Sequence, residues 1–376
     1  MERLTCVAPI NIAVIKYWGK SNEDLNIPVN SSLSVTIHPE DLCTTSTICV
    51  SDTIPHDEVW LNGKMQDVAK SERIQRCLNA VRIQTTDQRK CKIASVNNFP
   101  TAAGLASSAS GYACLASCLH EIYKPSVNVS MVARLGSGSA CRSVYGGFVK
   151  WEMGTSADGS DSKAVQIADE NHWPSLKVLI LVASNKQKSV GSTEGMRRSV
   201  ATSELLEYRC KHIVPVRMAQ MEAAIAERDF ETFALLTMKD SNQFHCICQD
   251  TYPPICPPYM NDISHKIVSL VSEYNKQEVK AAYTFDAGAN AVLFCLKENY
   301  DELLASVLKY FPRDHLYDYI NMCADKVEAI AGRAVEIASL KPTVNGLERI
   351  ICTKPGPGAY VSEDATPLLD SNGELV

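Results

Sequence analysis

At 376 residues the chain is longer than one hydrophobic core usually serves, so two domains are expected. Its 45% hydrophobic and 21% charged residues exclude an intrinsically disordered protein. The net charge of −6, spread without basic blocks, argues against nucleic acid or an anionic membrane surface as a partner.

The sequence predicts neither a membrane span nor a secretion signal. Its longest apolar runs, 178–183 and 291–296, are far shorter than the roughly 20 residues that a spanning helix needs. The N-terminus has no apolar core followed by a small-residue cleavage site. Its 15 cysteines contain no CxxC pair, which favours reduced thiols and a cytoplasmic location.

The first half begins with strands. Alternating apolar residues predict strands at 10–15, 33–37, 45–50 and 59–61, and Asn62 with Gly63 predicts a hairpin turn. Ser71 is a plausible N-cap for a helix whose apolar positions have helical spacing. A strand at 92–96 then leads through a small-residue loop into a buried helix at 107–123.

The second half is richer in helices. After a strand in GGFVKWEMG (146–154), a polar loop at 154–163 and a strand at 176–182, helical patterns dominate 203–244, 260–274 and 324–338. Strands are predicted at 281–285, 291–296, 349–353 and 359–361, and the last dozen residues are expected to form a loose tail. This mixture indicates an α+β fold, with domains at 1–187 and 188–376.

The loop at 97–111 is the most informative segment. Pro100 and Gly104 shape a turn, and small residues before the helix at 107 let its N–H groups and positive dipole end approach a phosphate. Serine hydroxyls there can also reach a phosphate-bound Mg²⁺. The loop is neither a Walker motif nor a dinucleotide fingerprint, and the alternative is a turn whose serines only cap a core helix.

Three further segments carry candidate chemistry. Lys16 and Lys20, spaced beside aromatic residues, suit a diphosphate, although solvated lysines at a strand end are the alternative. The segment 136–143 presents serines and Arg142, which can grip a carboxylate or phosphate or simply lie on a surface turn. Asp286 lies between two apolar strands, where a turn aspartate is the alternative.

Two other features are not interpreted as sites. His245, Cys246, Cys248 and Cys256 lack the usual spacing of a structural zinc site, so we expect unliganded thiols there. The sequons at Asn30 and Asn128 carry no meaning without secretion.

Together, NIAVIKYWGK, NNFPTAAGLASSASG, GSGSACRS and TFDAGANAV resemble the mevalonate diphosphate decarboxylase family of the GHMP kinase superfamily, in the family's order and over about residues 5–361. The resemblance implies an N-terminal domain like ribosomal protein S5 domain 2 and a ferredoxin-like C-terminal domain. It implies ATP- and Mg²⁺-dependent conversion of (R)-5-diphosphomevalonate to isopentenyl diphosphate, in isoprenoid and sterol biosynthesis. Family members are commonly homodimers, so a homodimer is expected.

The resemblance also implies roles for individual residues. Catalytic roles fall on Lys16, Ser108, Arg142 and Asp286. The substrate site comprises Tyr17, Trp18, Gly19, Lys20, Arg73, Ser137, Gly138, Ser139, Ala140, Cys141, Arg142 and Thr193. The ATP phosphates are assigned to Pro100, Ala103, Gly104, Leu105, Ala106, Ser107 and Ser108, of which Ser107 and Ser108 are also the expected Mg²⁺ ligands.

In this scheme Arg142 grips the C1 carboxylate and Asp286 orients or deprotonates the tertiary hydroxyl. A carboxylate with a pKa near ~4 is a poor base for an alcohol of pKa roughly 16. A loose phosphoryl-transfer transition state needs little prior deprotonation, so Asp286 is expected mainly to position the hydroxyl and to accept its proton late. No electron-sink cofactor is required, because departure of phosphate from C3 draws in the carboxylate electrons.

Two alternatives remain at this stage. A GHMP small-molecule kinase would phosphorylate without decarboxylating, although the Asp286–Asn290 motif disfavours it. A GHMP-fold binding protein would hold a nucleotide or sugar without turnover.

Overall fold

The computed structural model describes residues 1–99, 107–184, 186, 188–313 and 319–376. The strands are β1 (Glu2–Pro9), β2 (Asn11–Ile15), β3 (Lys20–Asn22), β4 (Ile27–Pro28), β5 (Ser32–Thr36), β6 (Cys43–Ser51), β7 (Glu58–Leu61), β8 (Lys64–Gln66), β9 (Lys90–Asn97), β10 (Phe148–Trp151), β11 (Ala164–Ala168), β12 (Leu176–Val182), β13 (Ala281–Phe285), β14 (Ala291–Leu296), β15 (Arg349–Thr353) and β16 (Tyr360–Val361).

The helices alternate with these strands and dominate the middle of the chain. They are α1 (Glu72–Arg82), α2 (Ser107–Tyr123), α3 (Val129–Gly136), α4 (Ala140–Ser143), α5 (Ser192–Thr202), α6 (Glu204–Tyr208), α7 (Val214–Glu227), α8 (Phe230–Asp250), α9 (Asp262–Tyr274), α10 (Lys297–Tyr310) and α11 (Ala324–Ile330). A π-helix, Arg209–Ile213, joins α6 to α7, and 3₁₀ turns lie at Val68–Lys70 and Ala331–Arg333. Among the described residues, none of the helices has the length and apolar composition needed to cross a bilayer.

Three larger sheets organise the molecule. The first has the order β16-β1-β6-β9-β7-β8, the second β11-β10-β5-β2 and the third β13-β14-β12-β15. β3 and β4 form a small antiparallel ribbon. Most pairs are antiparallel, whereas β7 and β9 run parallel. Antiparallel sheets combined with packed helices confirm the predicted α+β class.

Three apolar clusters hold these layers together. Helices α1, α2 and α3 pack on the first sheet, and α9 and α10 pack on one face of the third. The largest cluster joins α7 and α8 to both the second and the third sheets. The buried face of helix α8 therefore packs between the second and third sheets, near the ends of β2 and β13.

Several predicted elements are confirmed, although their bounds differ. Asn62 and Gly63 have φ of 48° and 74° and join β7 to β8, as expected for a hairpin turn between two paired strands. Ser71 precedes α1, but its side chain makes no capping hydrogen bond. The helical region at 203–244 divides into α6, the π-helix, α7 and α8, and the helix predicted at 324–338 ends earlier because α11 gives way to a 3₁₀ turn.

The prediction of a loose C-terminal tail is wrong. Leu369 is fully buried beside Cys49, Trp60 and Ala94, and the N–H of Leu368 donates to Thr47 Oγ1 at 2.8 Å. The isolated apolar pair at 368–369 fills a gap on the outer face of the first sheet, which no local pattern reveals.

Two sheets contain strands from both sides of residue 187. β12 precedes residue 187 yet pairs with β14 and β15, whereas β16 returns to β1 in the first sheet. The division into domains 1–187 and 188–376 stays a prediction.

Candidate active site

One cavity of about 470 Å³ lies between the two halves and brings together residues from all the described motifs. Among the described residues, those that line it and carry charge are Lys16, Lys20, Arg73, Arg142, Lys188 and Asp286. Five cations and one carboxylate make this cavity strongly positive, although the whole chain carries −6. A positive, concave site of this kind attracts anionic ligands.

Lys16 and Asp286 form an ion pair at the cavity wall. Lys16 Nζ donates to Asp286 Oδ1 at 2.6 Å, and the side chains are 3% and 38% exposed. Both residues directly follow strand ends, those of β2 and β13. The carboxylate therefore faces Lys16 and the cavity rather than closing an Asx turn, and no described residue donates to its second oxygen.

The turn after Asp286 is braced by side chains from neighbouring elements. Asn290 Oδ1 accepts from the N–H groups of Ala183 and Ser184 at 2.8 and 3.0 Å, which ties this turn to the end of β12. Ser264 Oγ donates to the Ala289 carbonyl at 2.8 Å. The conformation that presents Asp286 is thus fixed from both sides.

Arg142 is a buried cation with neutral partners. Its Nε donates to Ser34 Oγ at 3.1 Å and Asn11 Oδ1 at 3.3 Å, and its Nη1 donates to Ser32 Oγ at 2.6 Å. Trp151 lies beneath it, with the guanidinium 5.9 Å from the ring centroid. No carboxylate among the described residues lies within ion-pair distance of Arg142.

Burial lowers the pKa of the Arg142 guanidinium from its ordinary value, and the charge of Asp286 opposes this shift only in part. An arginine remains cationic at neutral pH in spite of such a shift. A buried charge that the protein leaves without a counter-ion is costly. The site is therefore built to receive an anion in bidentate contact.

Lys20 and Arg73 supply a second cationic region. Burial, followed by the charge of Arg73, lowers the pKa of Lys20. Arg73 stacks over the Tyr112 ring at 4.6 Å and donates from Nε to the Gly136 carbonyl. The two cations repel each other in the absence of a ligand, and a multiply charged anion between them would relieve this repulsion.

Tyr17 contributes a buried hydroxyl that has no hydrogen-bond partner within the described part of the chain. Burial raises the pKa of Tyr17, so the hydroxyl stays protonated and available as a donor. Its ring packs on Trp151 at 4.7 Å. Since buried polar groups nearly always have partners, this hydroxyl fits a ligand oxygen.

The predicted serines meet at the cavity edge. Ser108 Oγ lies 3.2 Å from Ser137 Oγ, and Ser107 lines the same space. A second, more apolar cavity of about 270 Å³ adjoins them and shares Arg73, Ser107 and Ser108 with the first. Pro100, Ala103, Gly104, Leu105 and Ala106 lie outside the described residues, so their predicted contacts with ATP stay predictions.

Most of the other residues that were predicted for the substrate site line the cavity as well: Trp18, Gly138, Ser139 and Thr193. Gly19, Ala140 and Cys141 are buried but do not line it. Gly19 has φ of 99°, and a side chain there would collide with Val29 and Val200. Gly19 thus lies at a turn next to the cavity wall, where a larger residue does not fit.

Lys188 lines the cavity and was missed by sequence reasoning. Its Nζ donates at 2.8 Å to both Ser192 Oγ and the Ala287 carbonyl. Burial lowers the pKa of Lys188, and the charge of Asp286 opposes that shift. The only sequence signal was a lysine in a polar segment before α5, which does not separate it from a solvated lysine.

His245 lies on α8 behind the Lys16 and Asp286 pair. Burial, followed by the charge of Lys16, lowers the pKa of His245 from 6.5 to about 4, so the imidazole is neutral. Its Nε2 has no partner among the described residues. Within the same residues, no cluster of three or more His, Cys, Asp or Glu side chains is arranged to hold a metal ion.

Known proteins similar to this chain match it over nearly its whole length. Family models described as the diphosphomevalonate decarboxylase-like N-terminal domain and the mevalonate 5-diphosphate decarboxylase C-terminal domain match residues 8–164 and 178–362. The diphosphomevalonate decarboxylase of Danio rerio is 51% identical, with 99% of this chain and 96% of that protein covered.

Solved structures show the same relationship. The mevalonate diphosphate decarboxylase from Trypanosoma brucei is 39% identical, with a TM-score of 0.91 over 98% of this chain and 100% of that one. A structure named MDDEF in complex with MVAPP, AMPPCP and magnesium is 30% identical, with a TM-score of 0.77 over 96% and 100% of the two chains. The GHMP kinase-like fold expected from the motifs is thereby confirmed, and the chain belongs to the diphosphomevalonate decarboxylase family.

Proposed function

We propose that this protein is an ATP-dependent diphosphomevalonate decarboxylase, which converts (R)-5-diphosphomevalonate and ATP to isopentenyl diphosphate, ADP, phosphate and CO₂. The observation that carries this proposal is the presence, in one cavity, of Asp286 held by Lys16 and of Arg142, which forms no ion pair with any described residue. A kinase needs a group that orients an alcohol, whereas a decarboxylase also needs a cation to hold a carboxylate.

The proposed substrate spans the cavity. Its C1 carboxylate accepts hydrogen bonds from Arg142, with the Tyr17 hydroxyl as a further donor. Its diphosphate lies near Lys20 and Arg73, the second cationic region. This placement supplies anions for the cations that the described residues leave without close carboxylates, and it leaves the tertiary alcohol facing Asp286.

Asp286 positions the 3-hydroxyl and accepts its proton late in phosphoryl transfer. Lys16 holds one carboxylate oxygen, which leaves the second oxygen to accept from the alcohol. The positive charges of Lys16 and Lys188 stabilise the negative charge that develops on the transferred group. Positioning and electrostatics account for most of the catalysis in reactions of this class.

Decarboxylation follows phosphorylation without another cofactor. Phosphate leaves C3 with the electron pair of the C3–O bond, and the electrons of the C1–C2 bond form the C2–C3 double bond as CO₂ departs. Arg142 keeps the carboxylate in place until that bond breaks. The apolar ring of Trp151 beneath the guanidinium limits access of water to this end of the cavity.

The ATP phosphates are proposed to lie at the start of α2, beside Ser107 and Ser108, and the adenine in the adjoining apolar cavity of about 270 Å³. Ile74, Ile93, Leu115 and Tyr112 provide apolar surface there, and Asn62 and Asn97 provide polar groups at its edge. In this proposal the nucleotide phosphates lie along the shared serine edge, between the adenine and Asp286. A site of this composition suits a flat heteroaromatic ring.

The residues present fit a Mg²⁺ ion carried by the nucleotide. The hydroxyls of Ser107 and Ser108 are hard oxygen donors, and Mg²⁺ in nucleotide sites binds few protein ligands besides the phosphates. When bound, the ion would neutralise phosphate charge. The related structure with AMPPCP and magnesium supports this requirement.

The experiment that tests the function combines the protein with ATP, Mg²⁺ and diphosphomevalonate and measures ADP and trapped CO₂. We expect equal amounts of the two products. ADP without CO₂ would identify a kinase that stops at phosphorylation, and binding of an ATP analogue without any turnover would favour a binding protein.

The homodimer is part of this proposal and rests on the family resemblance. Its test is the native mass by light scattering over a range of concentrations. A mass near 83 kDa, roughly twice that of the 41.3 kDa chain, is expected, and a constant monomer mass would contradict it.

A further inference from the structure

Helix α8 contacts both strand ends that present the ion pair of the active site. Asp240 and Ser241 are consecutive residues of α8, and both are fully buried. Consecutive helical side chains point about 100° apart, so neighbours can contact different elements. Asp240 contacts Lys16 after β2, and Ser241 contacts Phe285 at the end of β13.

The first contact fixes the main chain of Lys16. The Lys16 N–H donates to Asp240 Oδ1 at 2.8 Å, while Asn30 Nδ2 donates to the Lys16 carbonyl at 3.0 Å. Arg209 donates to both Asp240 oxygens, at 2.7 and 2.8 Å, and also to the Lys16 carbonyl at 3.3 Å. Arg217 adds a bond to Asp240 Oδ2 at 3.0 Å.

This network keeps Asp240 ionised despite its burial. Burial alone would raise the pKa of the Asp240 carboxyl, but the charge of Arg209 and the hydrogen bonds from Arg209 and the Lys16 N–H lower it. The paired arginine holds the carboxylate in one orientation. Lys16 is thus attached to α8 through a rigid, charge-compensated group.

The second contact fixes the main chain next to Asp286. The Phe285 N–H donates to Ser241 Oγ at 2.9 Å, and β13 ends at this residue. Because Asp286 is the next residue, the position of its Cα depends on this bond. Lys16 and Asp286 are 270 residues apart in the sequence. Helix α8 bonds to the main chain of Lys16 and to that of Phe285, the residue before Asp286.

We propose that Asp240 and Ser241 form a positioning clamp that sets the separation of Lys16 and Asp286 for phosphoryl transfer. Neither is a catalytic residue, since each acts through the main chain of another. The inference rests on the proposed decarboxylase function. A misplacement of about 1 Å at such a pair can cost on the order of 10²-fold in rate, so loss of one clamp bond should be visible in kcat.

The main test is Ser241→Ala, with Ser306→Ala as its matched control. Ser306 is also a fully buried helical serine, and it accepts the Val335 N–H at 3.0 Å, remote from the cavity. We expect Ser241→Ala to lower kcat about tenfold and to change both KM values less than about twofold. Both variants should lose similar thermal stability, and Ser306→Ala should keep the wild-type kcat.

A second measurement places Ser241→Ala in the Asp286→Ala background. If the serine acts by positioning Asp286, its removal should have no further effect on the residual single-turnover rate. A further tenfold loss there, or equal kcat for Ser241→Ala and Ser306→Ala, would overturn the clamp. If the wild-type protein forms neither ADP nor CO₂, the proposed function is wrong, and the clamp is wrong with it.

Discussion

Arg142 and Arg209 are both buried arginines, with 2% and 1% of their surface exposed, but their surroundings differ. Arg209 forms a two-pronged ion pair with Asp240, and a second arginine completes the network. Arg142 has only hydroxyl and amide acceptors among the described residues. Arg209 therefore has a carboxylate partner that neutralises its charge, whereas Arg142, which lines the cavity, has none among these residues.

The difference between the two arginines shows how one cavity can hold its catalytic residues in place and still bind an anion. The Arg209 network fixes the main chain of Lys16 and so the Lys16 and Asp286 pair. The Arg142 region retains an unmet charge that a ligand carboxylate can satisfy. Arg209 and Arg142 thus differ in their partners and in their exposure to the cavity, although both are buried.

The largest effect is expected for Asp286→Ala. This change removes the carboxylate that the Arg209 network positions and that faces the substrate held by Arg142. Turnover should fall by about 10²–10⁴-fold because the alcohol loses its positioned acceptor. Binding of an ATP analogue, measured by calorimetry, should be largely retained. Near-normal turnover would exclude the proposed role of Asp286.

The next largest effect separates the two arginines by stability. Arg209→Met should lower the free energy of unfolding by about 3–5 kcal/mol, because it leaves Asp240 buried with weaker compensation. Arg142→Met should lower it by less than about 2 kcal/mol, since it removes a charge that forms no ion pair within the described part of the chain. Urea unfolding of both variants measures the difference, and equal losses would contradict the distinction.

A conservative change at Arg142 should lower the activity. Arg142→Lys keeps the charge but loses the planar fork, so kcat/KM should fall about 10–100-fold. Steady-state assays with varied diphosphomevalonate measure it, with Arg3→Lys as a control at a remote arginine that bonds Leu369. An unchanged kcat/KM would mean that Arg142 does not grip the carboxylate.

The smallest effect concerns His245, which is neutral beside Lys16. Its folded pKa of about 4 lies below the ordinary 6.5, so the unfolded chain binds a proton that the folded chain excludes. Stability from this residue is present above pH 6.5 and is lost as the pH falls toward 4. Between pH 6.5 and pH 5 the wild type should lose about 1.5 kcal/mol more than His245→Gln. Parallel pH profiles in urea unfolding would contradict this burial effect.

The sequence predicted the strands that present Lys16 and Asp286 because apolar alternation is local. It also identified Arg142 and the serines, because their motifs resemble a family. Asp240 and Arg209 were not found, since a buried ion pair between a helix and a π-helix has no local signature. Lys188 was missed for a related reason, because only the folded chain brings it to Ala287 and the cavity.

The central claim is that the uncompensated Arg142 is reserved for the substrate carboxylate. Calorimetry with diphosphomevalonate and with its C1 carboxamide, on wild type and Arg142→Met, tests this claim most directly. We expect wild type to bind the carboxylate at least about tenfold more tightly than the carboxamide, and Arg142→Met to bind both compounds equally. Equal binding by wild type, or a preference that survives in Arg142→Met, would contradict it.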